Sequence, residues 1–550
     1  MRPPEIVMRL DRMGAAHPTR LSFMRQLVRR LHRSRVKVAR EVWELSPEGY
    51  GRVVYTLEMN GFRYSFCAFS SPLEDSRRTD RVIAEAWDAT FVLCDGTVDG
   101  EDLERLEANV ARQEAGRFRP TELVISRANK SMRMFEHVVN RLADGRQPDP
   151  AMTRRVGYLM RTTAVYGNGK FGLADRDRIA DRLALAAPFQ AELLTVWLIR
   201  GYSHDLVEHV AAARNPGGWQ KLTVAGRRSL GIGNATGLGM APFLVTHPTL
   251  IDNWMTAREA ALAMVRSLAV PDDQAVDRFL ALIHRAREHV AELEVGDRQQ
   301  ADRNRLLESE LRELAGGGIP DALGSEFPWD AVIRRAGEYS LECQELMVSA
   351  VIEPHGDRVD RLGETMSSDR EFALDPAMSL GELGDVLDRN CRWAEAYDFD
   401  EPKSDRRFWY VSEEKLEPRL GDRYQEPGSE RELPLDIARQ FQHLRRAVGQ
   451  SDPGCLVAEL LLARPELRTA ACRAQNAEHS PYAEVRDNLL GEAMRPIDLL
   501  RSKLAFFGAT KFDPKSDLWT RITMYQGAPL FDTVGDDSAD DWAFPVLGAG

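Results

Sequence analysis

The spacing of apolar residues separates a β-rich N-terminal stretch from a longer helical remainder. Apolar and polar residues alternate over 52–59 and 62–69. Between them lies Asn60-Gly61, a dipeptide that favours a type I′ hairpin turn because both positions accept positive φ. Further strands are predicted over 36–45 and 89–94. Together the four segments predict a small α+β unit built on an antiparallel sheet.

Beyond this unit the apolar spacing is mainly helical, with one more strand predicted over 122–126. Helices are predicted over 131–143, 150–162, 174–184, 188–213, 248–268, 272–294, 297–315, 328–352, 379–399, 433–448, 453–462, 465–477 and 482–507. The run Gly316-Gly317-Gly318-Ile319-Pro320 predicts a sharp break and a domain boundary, because glycine and proline interrupt helices.

The predicted fold class is therefore α+β and predominantly α-helical, with a small N-terminal antiparallel-sheet α+β unit followed by helical domains. Three domains are predicted: 1–118 as the sheet-containing unit, 119–315 as a central helical domain with glycine-rich loops, and 316–550 as a mostly helical domain with an acidic tail. A chain of 550 residues is long enough for several cores.

Composition predicts a cytoplasmic protein outside the membrane. Hydrophobic residues make up 43% and charged residues 29%, which is ordinary for a globular chain. No apolar run approaches the ~18 residues needed to cross a bilayer, and the N-terminus lacks the apolar core of a secretory signal. The six cysteines are scattered without a CxxC pair, which favours a reducing compartment.

Charge is unevenly distributed along a chain whose net charge is −12. Residues 19–40 carry eight Arg and Lys and no acidic residue, whereas the tail 532–541 is strongly acidic. An acidic chain repels nucleic acid at long range, so a nucleic-acid partner is not expected. The basic helix predicted over 20–33 has two interpretations: a surface for membrane or RNA, or a face that is solvated or meets the acidic body of the protein. The overall charge favours the second.

The densest cluster of glycines comprises Gly231, Gly233, Gly237 and Gly239. Exposed N–H groups of such a loop form an anion-binding nest, and Asn234 and Thr236 would add side-chain donors. The alternative is a loop in which glycine lets two segments pack closely. The spacing is one residue too long for the dinucleotide motif GxGxxG, and no buried strand is predicted before it.

Two further segments add candidates for binding an anion. The stretch 167–172 holds Asn168 and Lys170 among three glycines, and Arg161 precedes it. At 122–133 a strand, a basic loop and a helix follow one another, which would place Lys130 beside the positive N-terminus of a helix.

These features predict an enzyme, of the lyase or hydrolase type, that acts on a small anionic substrate carrying carboxylate or phosphate. Lys170 and His247 are the predicted catalytic residues, and the predicted substrate-binding residues are Arg161, Asn168, Asn234, Thr236 and Lys130. The loops 167–172 and 231–239 should then be neighbours.

No cofactor or metal is predicted. His204 and His209 are five residues apart, which separates them by about 100° around a helix rather than placing them on one metal. Two alternatives to the enzyme stay open: a non-enzymatic interaction or assembly protein, and an oxidoreductase with an atypical nucleotide-binding loop. A homo-oligomer is possible in each case.

Overall fold

The computed structural model describes residues 1–74, 76, 87–110, 119–167, 181–182, 185, 187–237, 247–269, 272–366, 373–396, 407–411, 416–420, 431–432, 437–484, 496–516, 519–536 and 540–547.

The described residues form twelve strands. In chain order they are β1 Val38–Leu45, β2 Gly51–Met59, β3 Phe62–Ser70, β4 Ala89–Asp95, β5 Glu122–Lys130, β6 Tyr158–Gly167, β7 Gly231–Gly237, β8 Arg407–Val411, β9 Leu416–Leu420, β10 Arg431–Glu432, β11 Lys511–Ser516 and β12 Trp519–Met524. Nine of them make one sheet in the order β1-β2-β3-β4-β5-β6-β7-β12-β11, and β10-β8-β9 make a second. The pairs from β1 to β6, and β11 with β12, are antiparallel, whereas β6 and β7 run parallel.

The α-helices, in chain order, are α1 Pro4–Val7, α2 Leu10–Gly14, α3 Phe23–Arg33, α4 Gly100–Val110, α5 Phe135–Ala143, α6 Pro150–Val156, α7 Gln190–Arg214, α8 Val224–Ser229, α9 Pro248–Arg266, α10 Asp273–Glu292, α11 Arg298–Glu313, α12 Ile319–Leu323, α13 Pro328–Ala336, α14 Leu341–Ile352, α15 Gly356–Val359, α16 Leu380–Asn390, α17 Ile437–Gly449, α18 Val457–Ala463, α19 Arg468–Asn476, α20 Pro496–Leu500 and α21 Ser502–Phe507. Within the described part of the chain, none is both long and apolar enough to span a membrane.

The expected small N-terminal sheet is wrong. The sheet has nine strands and is mostly antiparallel, and helices outnumber strands among the described residues. The hairpin at Asn60-Gly61 is confirmed, since both residues have positive φ and Met59 pairs with Phe62. The strands of this sheet that were not predicted are β6, β7, β11 and β12, and β6 begins within the segment 150–162 that was predicted to be a helix.

The chain forms two compact units. The first comprises 1–16, 237–263 and 361–502, and the second comprises 17–236, 264–360 and 503–550. The predicted domain limits stay a prediction, although the nine-stranded sheet takes strands from either side of both limits. At the predicted break the chain stays helical, with a π-turn over Leu314–Gly318 that leads directly into α12.

In the first unit, α16, α17 and α19 pack on one another. Helix α16 begins with a capping box in which Ser379 and Glu382 satisfy each other's backbone N–H groups. A buried ion pair joins Arg473 of α19 to Glu484, with 3.1 Å between Nη1 and Oε2.

In the second unit, α7 packs across β4, β5 and β6. Its Arg200 is fully buried, and among the described residues it donates to backbone carbonyls only, namely those of Arg227, Arg228, Leu230, Ala528 and Pro529. Because these carbonyls lie just before β7 or just after β12, one guanidinium links the segment that enters β7 to the segment that leaves β12.

The basic face of α3 is buried in ion pairs, which favours the interpretation that it meets acidic groups of the body. Arg20, which precedes the helix, and Arg25 and Arg29 within it form ion pairs with three carboxylates. These carboxylates belong to Glu353, Asp360 and Asp540. Arg20 Nε lies 2.6 Å from Asp360 Oδ1, and Arg20 Nη2 lies 2.5 Å from Asp540 Oδ2. We call this set the arginine cluster.

Candidate anion-binding site

A cavity of about 470 Å³ lies in the second unit. Its wall is formed by β5, β6, β11 and β12, together with the turn after β5, the end of α6 and the loop 294–296. The wall carries seven cationic side chains and two carboxylates: Lys130, Arg133, Arg155, Arg161, Lys511, Lys515 and Arg521, with Glu294 and Asp513. The excess of five positive charges makes it a basic site within an acidic protein.

One wall of the cavity is the β11–β12 hairpin. Residues two apart in a strand share a face, so Lys511, Asp513 and Lys515 lie on the same side of β11. Lys511 pairs with Thr523 and Asp513 with Arg521 across the hairpin, which brings β12 side chains to the same wall. Asp513 forms an ion pair with Lys515 and accepts the N–H of Gly296 at 3.1 Å.

The glycines of β7 allow close approach between neighbouring groups. A Cβ on Gly233 would lie 2.7 Å from the ring of Tyr158, a residue of the cavity wall. A Cβ on Gly231 would collide with the carbonyl oxygen of Met524 and lie 2.9 Å from Thr523 Cγ2. Glycine is needed at both positions because any side chain would displace a neighbour.

The expectation of a glycine-rich loop is wrong for Gly231–Gly237, which is β7. The strand was missed because glycine has a low strand propensity and only its neighbours β6 and β12 impose the extended conformation. Its N–H groups belong to a sheet ladder rather than to a concave nest, and Gly231 N–H donates to Gly157 O at 2.9 Å.

Lys511 is the most deeply buried cation of the wall, at 3% exposure. Its Nζ donates to the carbonyl oxygens of Arg154 at 2.6 Å and Arg155 at 2.9 Å, at the C-terminal end of α6. Burial lowers the pKa of Lys511 to about 8, and Asp513 and Glu294 only partly oppose this by favouring the charged form.

Lys130 sits where β5 turns towards α5. Its Nζ lies 5.0 Å from the ring centroid of Tyr50 and 4.9 Å from that of Phe135, so its charge faces two aromatic rings. Its backbone N–H donates to the buried carboxylate of Asp88 at 2.8 Å. Ser131 Oγ accepts the N–H of Met134 at 3.2 Å, which orders the turn ahead of the helix.

Two of the residues predicted to bind substrate, Lys130 and Arg161, lie together in the cavity wall. Both are buried, and Arg161 is held where β6 pairs with Gly233 of β7. The part of the 167–172 prediction that carries Asn168 and Lys170 lies outside the described residues. The strand before it, β6, runs alongside β7.

The other predicted residues lie elsewhere. Asn234 is buried and is not in the described cavity wall; its Nδ2 donates to Thr162 Oγ1 at 2.9 Å, and its Oδ1 accepts from Lys503 Nζ at 2.9 Å. Thr236 belongs to β7. His247 lies in the first unit directly before α9, where its carbonyl accepts the N–H of Ile251 at 3.2 Å.

Lys503 was not predicted from the sequence. Burial lowers its pKa to about 7, and its partners are the amide of Asn234 and the ring of Phe507, whose centroid is 5.6 Å from Nζ. The cavity residues of β11 and β12 were missed as well. The alternation of Lys511, Asp513 and Lys515 is the one local signal that would have indicated a polar strand face.

The histidines of α7 have structural partners. His204 Nε2 contacts Leu230 O at 3.3 Å, and His209 Nε2 contacts Ser46 O at 2.8 Å. Glu208, between them, forms an ion pair with Arg227 at 2.7 Å. Over the described ranges, no group of three His, Cys, Asp or Glu side chains is arranged to hold a metal ion.

No protein-family model matches this sequence, and comparison with curated proteins and with solved structures gives no significant match.

Proposed function

We propose that this protein binds a small, multiply charged anion in the basic cavity of its second unit, with phosphate or carboxylate groups as the charged part of the ligand. The observation that supports this proposal is the excess of five positive charges around one cavity of about 470 Å³. Like charges brought together repel one another, so the arrangement costs free energy until an anion neutralises it.

The size of the cavity favours a small molecule. Small-molecule sites usually have volumes of about 300–1,000 Å³, and this cavity lies within that range. A nucleic acid would need an extended basic surface, whereas the protein carries a net charge of −12. The cations here come from separate elements of the sheet and its connections, which suits a compact ligand contacted from several sides.

The chemistry of the wall suits phosphate or carboxylate oxygens. Arg161 and Arg521 bring guanidinium groups, which bind such oxygens through two parallel N–H bonds. A lyase or hydrolase acting on the bound anion is the finer hypothesis. Lys511 is then the wall residue whose lowered pKa suits proton transfer.

Calorimetric titration with trimetaphosphate tests the binding. This cyclic trianion keeps its full charge around neutral pH and needs no enzymatic turnover. We expect binding that weakens as salt is added, because screening reduces the attraction of the cations. Loss of one charged hydrogen-bond donor costs about 1.5–3 kcal/mol, so Arg521→Gln should weaken binding about tenfold or more.

The matched control is Arg146→Gln, which removes an exposed arginine whose partner is Asp144. It should leave the dissociation constant unchanged. The proposal fails if the wild-type protein shows no binding at low salt, or if the control weakens binding as much as Arg521→Gln.

A further inference from the structure

The ammonium group of Lys511 is held by two backbone carbonyls. An ammonium has three N–H donors, and Nζ of Lys511 donates two of them to the carbonyls of Arg154 and Arg155. No further acceptor of this group is found among the described residues. Lys511 lines the cavity, so a ligand there that contacts its nitrogen would do so at this third position.

The two carbonyls can be satisfied by either protonation state. A neutral amine has two N–H donors and one lone pair, so it can keep both carbonyl bonds while the lone pair takes the third position. A protonated amine presents an N–H at that position instead. The geometry therefore accommodates gain or loss of a proton without moving the side chain.

The charges around Lys511 balance only in part. Asp513 on the same strand and Glu294 in the loop after α10 favour its protonated form, whereas Lys515 disfavours it. Asp513 is already engaged by Lys515 and the Gly296 N–H.

Groups on the other elements around the cavity add little negative charge. Arg521 on β12, Arg155 on α6 and Arg161 on β6 add positive charge to the same wall. His289 of α10 is buried and its pKa is lowered by burial, so it stays neutral at neutral and higher pH. At the C-terminal end of α10, Glu292 accepts the N–H of Leu547. An anion in the cavity therefore supplies the charge that Lys511 needs to hold its proton.

We propose that Lys511 is a ligand-binding residue of the cavity that takes up a proton from solvent as the anion binds, so that the site couples anion binding to protonation. This inference rests on the proposed function. The bound state is a protonated Lys511 that donates two hydrogen bonds to the protein and one to the anion. Its consequence is selectivity for multiply charged anions, and release of the ligand as pH rises.

The experiment is calorimetric titration of the full chain with trimetaphosphate near pH 8, in buffers of different ionisation enthalpy. The slope of the observed enthalpy against buffer enthalpy gives the number of protons taken up. With a pKa of about 8 in the free protein, we expect uptake of about half a proton per anion at that pH, falling towards zero two pH units lower. Above this range the dissociation constant should rise by up to about tenfold per pH unit.

Two substitutions test whether Lys511 is the group that takes up the proton. Lys511→Arg keeps a permanent charge and should bind without proton uptake, whereas Lys503→Met removes the other lysine of lowered pKa and should leave the uptake unchanged. If Lys511→Arg does not fold, Lys511→Met serves instead and should weaken binding at least tenfold near pH 7.

The outcomes are distinguishable. Binding by the wild type without proton uptake near pH 8 overturns the role of Lys511 and leaves the proposed function intact. Uptake that persists in Lys511→Arg also overturns it. Absence of binding at every pH refutes the proposed function itself.

Discussion

Asp540→Asn is expected to destabilise the second unit strongly while preserving the shape of the side chain. Asp540 contacts three guanidiniums: its Oδ2 lies 2.5 Å from Arg20 Nη2, and its Oδ1 lies 3.2 Å from Arg25 Nη2 and 3.4 Å from Arg29 Nη1. The asparagine keeps an oxygen acceptor but leaves three arginines with the two carboxylates of Glu353 and Asp360.

The expected loss of stability follows from how deeply the side chain of Asp540 is buried. Removing one partner of a buried ion pair costs about 3–5 kcal/mol because the remaining charge stays desolvated. The side chain of Asp540 retains 27% exposure, which places the expected loss at the lower end, about 3 kcal/mol. The carbonyl oxygen of Asp540 still accepts from Arg25 at 2.9 Å, so the local backbone keeps one of its contacts.

Hydrogen exchange of the amides in α3 measures this loss, since a two-unit chain need not unfold in one step. A loss of about 3 kcal/mol corresponds to exchange about a hundredfold faster. The control is Asp536→Asn, an exposed acidic residue of the same tail, which should change exchange by less than about twofold. If Asp540→Asn accelerates exchange no more than Asp536→Asn, the cluster does not stabilise α3 as we infer.

The effect should depend on pH with a defined sign. Burial alone would raise the pKa of Asp540, but the charges of Arg25, Arg29 and Arg20 outweigh it and hold the pKa below its ordinary value of 3.8. The stabilisation is therefore complete above that value and is lost as pH falls below it. Wild type and Asp540→Asn should converge in strongly acidic solution, and a difference that grows there would contradict the assignment.

Three further predictions concern the second unit. Gly233→Ala should cost about 1–3 kcal/mol in thermal unfolding and weaken trimetaphosphate binding, because its methyl group displaces the ring of Tyr158; unchanged stability would show that the ring yields freely. Arg200→Met should cost about 3 kcal/mol or more, since three buried and two partly buried carbonyls lose their donor; wild-type stability in urea would refute its role in linking the two strands. Lys503 should react with acetic anhydride with a half-maximal rate near pH 7, because burial lowers its pKa to about 7; a midpoint near that of exposed lysines would exclude this.

The sequence predicted those parts of the fold that are determined by residues close together in the chain. Asn60-Gly61 specifies its own turn, and the helical spacing over 188–213 corresponds closely to α7. β7 shows the limit, because its sequence Gly-Ile-Gly-Asn-Ala-Thr-Gly has little strand preference and is extended only through its neighbours.

The residues of the candidate site likewise divide into those with a local signal in the sequence and those without one. Lys130 and Arg161 stand out from their own segments, as basic residues next to a turn and a glycine-rich stretch. Lys511 and Arg521 join them only because the sheet places β12 beside β7, and no feature near residue 511 specifies that pairing. The partners of the basic helix, Glu353, Asp360 and Asp540, are likewise remote in the chain, so its burial could not be predicted from charge pattern alone.

The position of β7 within the sheet also has a consequence for biosynthesis. β7 pairs with β6 on one side and with β12 on the other, so on the ribosome its second edge has no partner until translation has passed Trp519–Met524. An unpaired strand edge invites pairing with other chains, and Gly231, lacking a side chain, offers little steric protection. The nascent chain therefore carries an open edge through the synthesis of the entire first-unit segment 361–502. Chaperone binding in that interval would protect the sheet before its last hairpin pairs with β7, whereas slowed translation would prolong the exposure of the edge.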